Sequence, residues 1–432
     1  MRYFNQTVNW ANFFLTANDS NHQVFIWQKG ELFELKPLKN LQSPAFKTKN
    51  NDNLENVLIY EYPWQLGQKM WYIPRLPLTN MDKTNSSLEF LRDFLREIIK
   101  QAKLKNITFI KFELDFGEIL EKDLEYFWQN ENGSEIPNHE QNPVLEIEKA
   151  AIKIIQEVVN QNNFNSGGKI IIQKSDKKFQ YLETLSLNLD DLQTLKNFEK
   201  NTETKDVDNF GDKLENEQNQ SKTLTNEEVK AFWLANESIW AKLMDKRTRY
   251  GTRKSLDFGW QISYEKTPEN FEIFYDLALQ TATRQNFSNH SKAYLQRLFE
   301  EHFSQIIILF DKENNPQAGW LGIWQDQNLV NLYGGNSLVS RDNYGQYALH
   351  LAAIFLAKSL ANLKKDNENS ASCFYDLGGL ESGKGFDLFK KGYLGQTKKF
   401  LGPFDIIIQP KKYKITKQLI KFSKQLKTLF RR

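Results

Sequence analysis

A single cysteine, Cys373, leaves the 432-residue chain without an internal disulfide and without a cysteine set for zinc. The five histidines, His22, His139, His290, His302 and His350, contain no pair at ligand spacing, so no metal is expected. No run of about 18 apolar residues is present to cross a bilayer. The opening stretch, beginning "MRYFNQTVNW", has no basic start, apolar run or small-residue cleavage site. A cytoplasmic protein is therefore expected. The Gly-x-Ser-x-Gly elbow of serine hydrolases is absent. Cys373 lies in what reads as a buried strand, where thiols are usually inert packing.

Gly378, then four residues, then Gly383-Lys384 imitates a phosphate-cradling loop, but Gly385 stands where Ser or Thr must hold magnesium. Gly392 then breaks the long helix that such a loop requires. An acetyl-CoA enzyme of the GNAT type would carry Arg/Gln-x-x-Gly-x-Gly/Ala between a strand and a helix to hold pyrophosphate. The nearest stretch, "RDNYGQYA" (341–348), has the wrong spacing. These gaps leave no cofactor to assign.

What is present is a well-packed composition, 40% apolar and 13% aromatic, on a chain long enough for two or three domains. Net charge is only +3, yet residues 411–432 hold nine Lys/Arg and no acid. Ile415, Leu419, Phe422, Leu426 and Leu429 recur there at intervals of three and four, one apolar stripe on a basic helix. Such a helix suits an anionic membrane surface or an RNA backbone. Equally, it could dock its stripe on its own domain.

Ser86 and Glu89 form a capping box ahead of Leu88, Leu91, Leu95, Ile99 and Ala102, which line one helix face. "NITFIKFEL" (106–114) and "GGKIIIQ" (167–173) read as buried strands, with short helical runs in polar sequence between them. Residues 199–222, rich in Asn, Asp, Glu and Lys, read as a disordered polar insertion. Thr225 and Glu228 cap a further helix, and Pro268 opens another over 267–284. "SQIIILF", "QAGWLGIW" and "NLVNLYGG" are strands, followed by a long helix over 344–364 that turns Leu349, Ala353, Leu356, Leu360 and Leu363 inward. The pattern predicts a mixed α/β fold of two related lobes, over 1–180 and 181–400, with a C-terminal segment over 401–432 returning to the first lobe.

Two stretches carry chemistry. "DKRTRYGTRKS" (245–255) gathers Lys246, Arg247, Arg249, Arg253 and Lys254 beside an amphipathic helix, where guanidinium forks suit phosphate. "FYDLGGLESGKGFDLFKKGYLG" (374–395) runs from an apolar approach through a glycine turn into a lysine-bearing segment.

The second stretch resembles the signature of the Fem family, aminoacyl-tRNA-dependent transferases that build peptidoglycan cross-bridges. Tyr375, Asp376, Leu377, Gly378, Gly379 and Leu380 match its Tyr-Asp-x-Gly-Gly core. Phe389, Lys390 and Tyr393 match its Phe-Lys-aromatic ending. "KRTRYGTRKS", "NLYGGNS" and "WYIPRLPL" (71–78) are similar to further family segments. The resemblance implies two GNAT-like lobes that pass an amino acid from a tRNA 3′ end to an amine of a peptidoglycan precursor, without metal or covalent aminoacyl-enzyme. The implied partners are aminoacyl-tRNA and either lipid II or the nucleotide-linked muramyl peptide; the basic helix over 411–432, read from its own residues, adds peripheral contact with the inner membrane face or with the tRNA. Leu76 replaces the glycine of the family's Arg-Gly-Pro turn, Glu113-Leu114 replaces carboxylate-Pro, and no lysine precedes Lys29, so the acceptor type stays open.

On this resemblance Lys390 supplies electrostatic stabilisation, Arg249, Arg253 and Arg247 hold phosphate, and Asp376 supports the turn. Glu113 either orients the incoming amine or is only a solvated carboxylate at a strand end. Tyr333 either bonds the stem peptide or packs, and Tyr393 stands with the substrate-binding set. An acyl-CoA-dependent transferase and a non-catalytic RNA- or envelope-binding protein are the rival readings.

Overall fold

The structure, a computed structural model, describes residues 8–17, 23–28, 31–35, 56–77, 84–115, 143–166, 169–175, 181, 183–193, 223–224, 226–362, 372–381, 383 and 385–429. The expected insertion at 199–222, Thr225 and Leu363 lie outside them.

In chain order the elements begin with α1 (Val8–Ala17), β1 (Gln23–Gln28), β2 (Glu31–Leu35), β3 (Asn56–Pro63) and β4 (Lys69–Pro77). There follow α2 (Thr84–Leu104), β5 (Phe109–Asp115), α3 (Pro143–Ser166), β6 (Ile171–Lys174), β7 (Glu183–Asn188) and β8 (Thr223–Leu224). Next come α4 (Asn226–Ala235), α5 (Glu237–Leu243), α6 (Lys246–Phe258), β9 (Gln261–Ser263), α7 (Pro268–Gln285) and α8 (Lys292–Glu300). The chain continues through β10 (Ser304–Phe310), β11 (Pro316–Gln325), β12 (Asn328–Asn336), α9 (Leu338–Asp342), α10 (Gly345–Asn362) and β13 (Phe374–Gly379). It closes with α11 (Gly385–Lys391), β14 (Gln396–Lys399), β15 (Leu401–Ile407) and α12 (Pro410–Leu429).

These elements form two compact units, 1–182 with 398–432, and 183–397. The first carries a sheet of order β2-β1-β3-β4-β5-β15-β6, the second one of order β14-β7-β13-β12-β11-β10-β9-β8. Both sheets are mixed. Each holds a parallel pair joined by a helical crossover, β4–α2–β5 in one and β12–α9–α10–β13 in the other. Each pair is flanked beyond β5 or β13 by an antiparallel strand from a distant part of the sequence, β15 and β7 respectively.

Alternation along the strands of the first sheet sorts its side chains onto two faces. Trp71, Ile73, Val57, Ile110 and Phe112 meet Leu91, Phe94, Leu95 and Ile98 of α2 and Ile155 and Val158 of α3. Met70, Tyr72, Tyr60 and Phe109 meet Phe14 of α1 and Tyr413 of α12. Each such fully buried large side chain contributes about 1.5–3 kcal/mol. In the second unit α10 is apolar nearly all round. Leu349, Leu351, Ala352, Ala353, Ile354, Phe355 and Ala357 are all buried, more than the single inward stripe expected, while Leu356 and Leu360 are partly buried.

Three local expectations are corrected. α2 starts at Thr84, so Ser86 lies inside the first turn. The region of supposed short runs before "GGKIIIQ" contains one 24-residue helix, α3, because Ala151, Ile154, Ile155, Val158 and Val159 supply a buried stripe among polar neighbours. "WYIPRLPL" is mostly strand, not turn; the irregularity in it is confined to Arg75, at φ 49°.

Candidate functional site

The site of the second unit is built where its parallel strands part. β12 and β13 pair in register from Asn328↔Phe374 to Val330↔Asp376. β12 then continues along β11, while β13 continues along β7 with a register shift between Asp376 and Gly379. At the parting point Asn331 Nδ2 donates to the Leu377 carbonyl at 3.2 Å, replacing the lost ladder.

Asp376, Gly378 and Gly379 form the rim of this notch. Asp376 Oδ1 accepts the Gly378 N–H at 2.7 Å, a local turn closed by the carboxylate. Gly378 has φ +82°, and a Cβ there would lie 2.8 Å from the Asn331 carbonyl oxygen, so backbone freedom and space both demand glycine.

Lys390 reaches the notch from α11. Its Nζ donates to the Gly379 carbonyl at 2.8 Å and lies 5.1 Å from the Phe386 ring centroid. Burial lowers its pKa to about 8, against the attraction of Asp376 and Asp387. His350, beneath it on α10, is held down to about 3, first by burial and then by the Lys390 charge. The imidazole is therefore neutral, with Nδ1 2.6 Å from the Tyr375 hydroxyl. Tyr375 keeps its proton, because burial raises its pKa well above the phenol range, so the contact joins a neutral hydroxyl to a neutral imidazole. Asn331 Oδ1 and Asp387 Oδ1 are buried acceptors without a hydrogen-bond partner among the described residues.

The notch is joined to the basic helix by backbone. Asp245 N–H donates to the Gly392 carbonyl at 2.8 Å, and Leu394 N–H donates to Leu243 at 2.9 Å. The Asp245 carboxylate meanwhile caps α6 by accepting from Thr248 N–H at 2.6 Å. Thr248, Gly251, Thr252 and Ser255 form the buried face of α6, leaving Lys246, Arg247, Tyr250, Arg253 and Lys254 exposed. A Cβ on Gly251 would lie 2.8 Å from the Tyr347 ring, which packs edge-on against Phe389.

The expected residues separate accordingly. Lys390 and Asp376 share the notch, and Arg247 acts electrostatically on the Tyr347 hydroxyl. Arg253 is exposed, one turn beyond Arg249. Arg249 donates Nη1 to the Met244 carbonyl at 2.7 Å, so part of its guanidinium fastens the helix start. Tyr393 is 1% exposed and packs against His350 and Phe389, a wall of the core instead of a surface open to substrate. Tyr333 belongs to a different cluster, edge-on to His290 at 5.6 Å and beside Tyr294.

Glu113 lies in the first unit and is fully buried, not solvated at a strand end. Its pKa is raised by burial, partly opposed by Arg75, Tyr72 and Lys111. Arg75 Nε stands 3.6 Å from its carboxylate, while the guanidinium lies 3.1 Å from the Phe400 ring centroid and Nη2 donates to the Tyr181 carbonyl. The β4–β5 register shifts between Ile73 and Leu76, where Arg75 sits. Arg75 is thus a buried cation at the irregularity of β4–β5, and Lys390 a half-buried one beside the point where β12 and β13 part.

His350, Asn331, Asp387 and Arg75 were missed from the sequence. Asp387 lies three residues before Lys390, one helical turn away, which is a usable signal. Nothing in sequence marks His350 or Asn331, whose roles depend on neighbours distant along the chain. Among the described residues no group of three His, Cys, Asp or Glu could hold a metal ion.

The FemAB family model matches residues 228–315 and 304–421, which include both α6 and the Lys390 notch. The C-terminal part of the chain, 228–421, is thus similar to the FemAB family. What this match supports is an acyltransferase of the peptidoglycan-bridge kind. No curated protein sequence matches this chain. Its fold is that of the crystal structure of FemX, with a TM-score of 0.55 and 13% identity over 96% of this chain and 94% of that one. Weaker likenesses are L-PGS from Bacillus licheniformis (TM-score 0.37, 11% identity, 82% of each chain) and a tandem GNAT protein from the clavulanic acid biosynthesis pathway (0.32, 8%, 82% of this chain and 78% of that one). The chain is a mixed α/β protein of two compact units, each built on one mixed sheet.

Proposed function

We propose that this chain, as a FemAB-like transferase, moves an amino acid from aminoacyl-tRNA to the stem-peptide amine of a peptidoglycan precursor, lipid-linked or nucleotide-linked, in the cytoplasm. The observation that carries the reading is the Lys390 ammonium, partly desolvated and held on the Gly379 carbonyl, with Asn331 Oδ1 and Asp387 Oδ1 as buried acceptors that have no hydrogen-bond partner among the described residues.

In this reaction the amine nitrogen attacks the ester carbonyl carbon. The C–N bond forms, the bond to the ribose oxygen breaks, and the amine proton ends on that oxygen. Orientation supplies much of the rate, up to about 7–11 kcal/mol in favourable cases. Lys390 supplies positive charge to the carbonyl oxygen as it becomes an oxyanion, and partial burial strengthens that attraction. The two orphan acceptors suit N–H groups of the acceptor peptide. With His350 neutral and Lys390 mainly protonated at pH 7, proton transfer is assigned to the substrates themselves.

The donor side is supported by α6. Its outward cations suit tRNA phosphates, and the half-exposed rings of Tyr250 and Tyr344, 6.3 Å apart, suit unpaired bases. Against an acyl-CoA donor stands the β12–α10 connection, where α9 occupies the place of a glycine-rich turn. There the Ser337 hydroxyl is spent on Ser340 N–H, and Asp342 adds negative charge.

The test is incubation with a pool of charged tRNA and either precursor, read by mass spectrometry, with acyl-CoA thioesters in parallel. One aminoacyl increment on the precursor, abolished by ribonuclease, is the expected result. Transfer from the thioester, or no transfer from any tRNA, overturns the reading.

A further inference from the structure

We propose that α12 binds the surface of an anionic phospholipid bilayer through the face that carries Ile415, Leu419 and Phe422. The helix is moored by its other face. Thr416 is fully buried, and its Oγ1 accepts from Gln68 Nε2 at 2.7 Å. The Tyr413 hydroxyl donates to Asp405 Oδ2 at 2.9 Å and accepts from Gln173 Nε2 at 3.1 Å, while its ring stacks on Trp64. The apolar stripe does not take part in this docking. Ile415, Leu419 and Phe422 are 55%, 48% and 59% exposed.

At about 100° per residue these three positions fall within a sector of roughly 60°, opposite Tyr413 and Ile420. Lys411 and Lys412 border the same sector on either side, and Lys414 and Lys421 lie further round on the Lys411 side; all four are exposed, and the helix contains no Asp or Glu. The sequence continues the pattern at Leu426 and Leu429. An outward apolar stripe bordered by lysine fits an interface with acyl chains below and anionic headgroups beside it. Charge complementarity selects this occupant over a second copy of the chain, which would set two lysine-rich borders against each other. RNA phosphate would use the lysines and leave the three apolar side chains without a partner. The helix lies on the bilayer and does not span it, since no helix among the described residues is long and apolar enough to cross. None of this passes through the Lys390 notch.

The test is flotation of the full chain with phosphatidylcholine vesicles, with and without phosphatidylglycerol, at low and high salt. Partitioning is expected only with phosphatidylglycerol and to weaken as salt rises. The double variant Leu419→Ser/Phe422→Ser should lower it about tenfold or more, with an unchanged urea midpoint because both side chains are already exposed. Replacing Lys411, Lys414 and Lys421 with Gln should lower it and flatten its salt dependence. The proposal is overturned by equal partitioning of wild type and the Leu419/Phe422 variant. It is likewise overturned by equal binding to pure phosphatidylcholine, or by a variant that keeps vesicle binding and loses binding to bulk tRNA.

Discussion

Lys390 Nζ donates to the carbonyl oxygen of Gly379 across 2.8 Å, tying the end of α11 to the end of β13. One bond of three possible donors fixes the ammonium without exhausting it. The remaining donors are therefore positioned before any substrate arrives, the condition under which a charge stabilises a developing oxyanion most effectively.

Replacing Lys390 with Met should lower kcat/KM for transfer by about 10²–10³-fold, the usual effect of losing one preorganised oxyanion partner. Near-normal turnover would remove Lys390 from the chemistry. The pH profile gives a second check. Lys390 is cationic below about pH 8 and loses its charge above it, so transfer should decline on the alkaline side with an apparent pKa near 8. Lys390→Arg should abolish that decline, because guanidinium stays charged throughout.

Gly392 is needed for space and not for an unusual backbone angle. A Cβ there would lie 2.1 Å from Thr248 Oγ1, a short side chain only 2% exposed that has little room to retreat. Gly392→Ala should destabilise the second unit by about 1–3 kcal/mol and weaken the Asp245–Gly392 link that holds α6 to the notch. Adding Thr248→Ala removes the colliding atom and should recover part of the loss in urea unfolding. Simple additivity of the two changes would show that the collision does not matter.

What the sequence reveals follows from how local each determinant is. Thr267 capping Pro268–Gln285, the strands "SQIIILF" and "QAGWLGIW", and the glycine turn after Tyr375 all act within a few residues, and all are legible. The Lys390 segment was visible for the same reason. The environment of that lysine was not, since His350 lies 40 positions away and Asn331 still further, and the β12–β13 register alone brings them together. The strands before β5 were also passed over. Their β-branched and aromatic residues are interrupted by polar ones, and the irregular Arg75 imitates a turn. Periodicity found the stripe on α12 but could not say which way it faces, because two elements distant in sequence, β6 and the β3–β4 turn, supply the polar partners that moor the opposite side.

His350 predicts a pH dependence of stability. The folded imidazole holds its proton only below about pH 3, whereas an unfolded histidine titrates near 6.5. Between these values the unfolded chain binds the extra proton, so the stability contribution is complete above about pH 6.5 and is lost as pH falls. This single group should remove roughly 2 kcal/mol between pH 6.5 and 5. His350→Gln should be less stable at neutral pH, through loss of the Tyr375 contact, yet show a shallower decline. Parallel curves for the two proteins in urea titrations would contradict the assignment.

Glu113 separates stability from activity. Burial raises its pKa despite Arg75, so the folded carboxyl keeps its proton to higher pH than the unfolded one. Within that window the folded state binds more protons, and stability falls as pH rises through it. A neutral isostere escapes this loss. Glu113→Gln should therefore gain stability relative to wild type as pH is raised from 4 to 8, measured by urea unfolding of the full chain. If the carboxylate orients the incoming amine, the same substitution should depress transfer at pH 8, where wild type is more nearly ionised, and matter less at acid pH, where wild type is already neutral. A gain in stability joined to a loss of transfer marks a charge that is kept for the reaction at the expense of the fold. A stability difference moving in the opposite sense would mean that Arg75 outweighs burial and that Glu113 is one half of a structural ion pair.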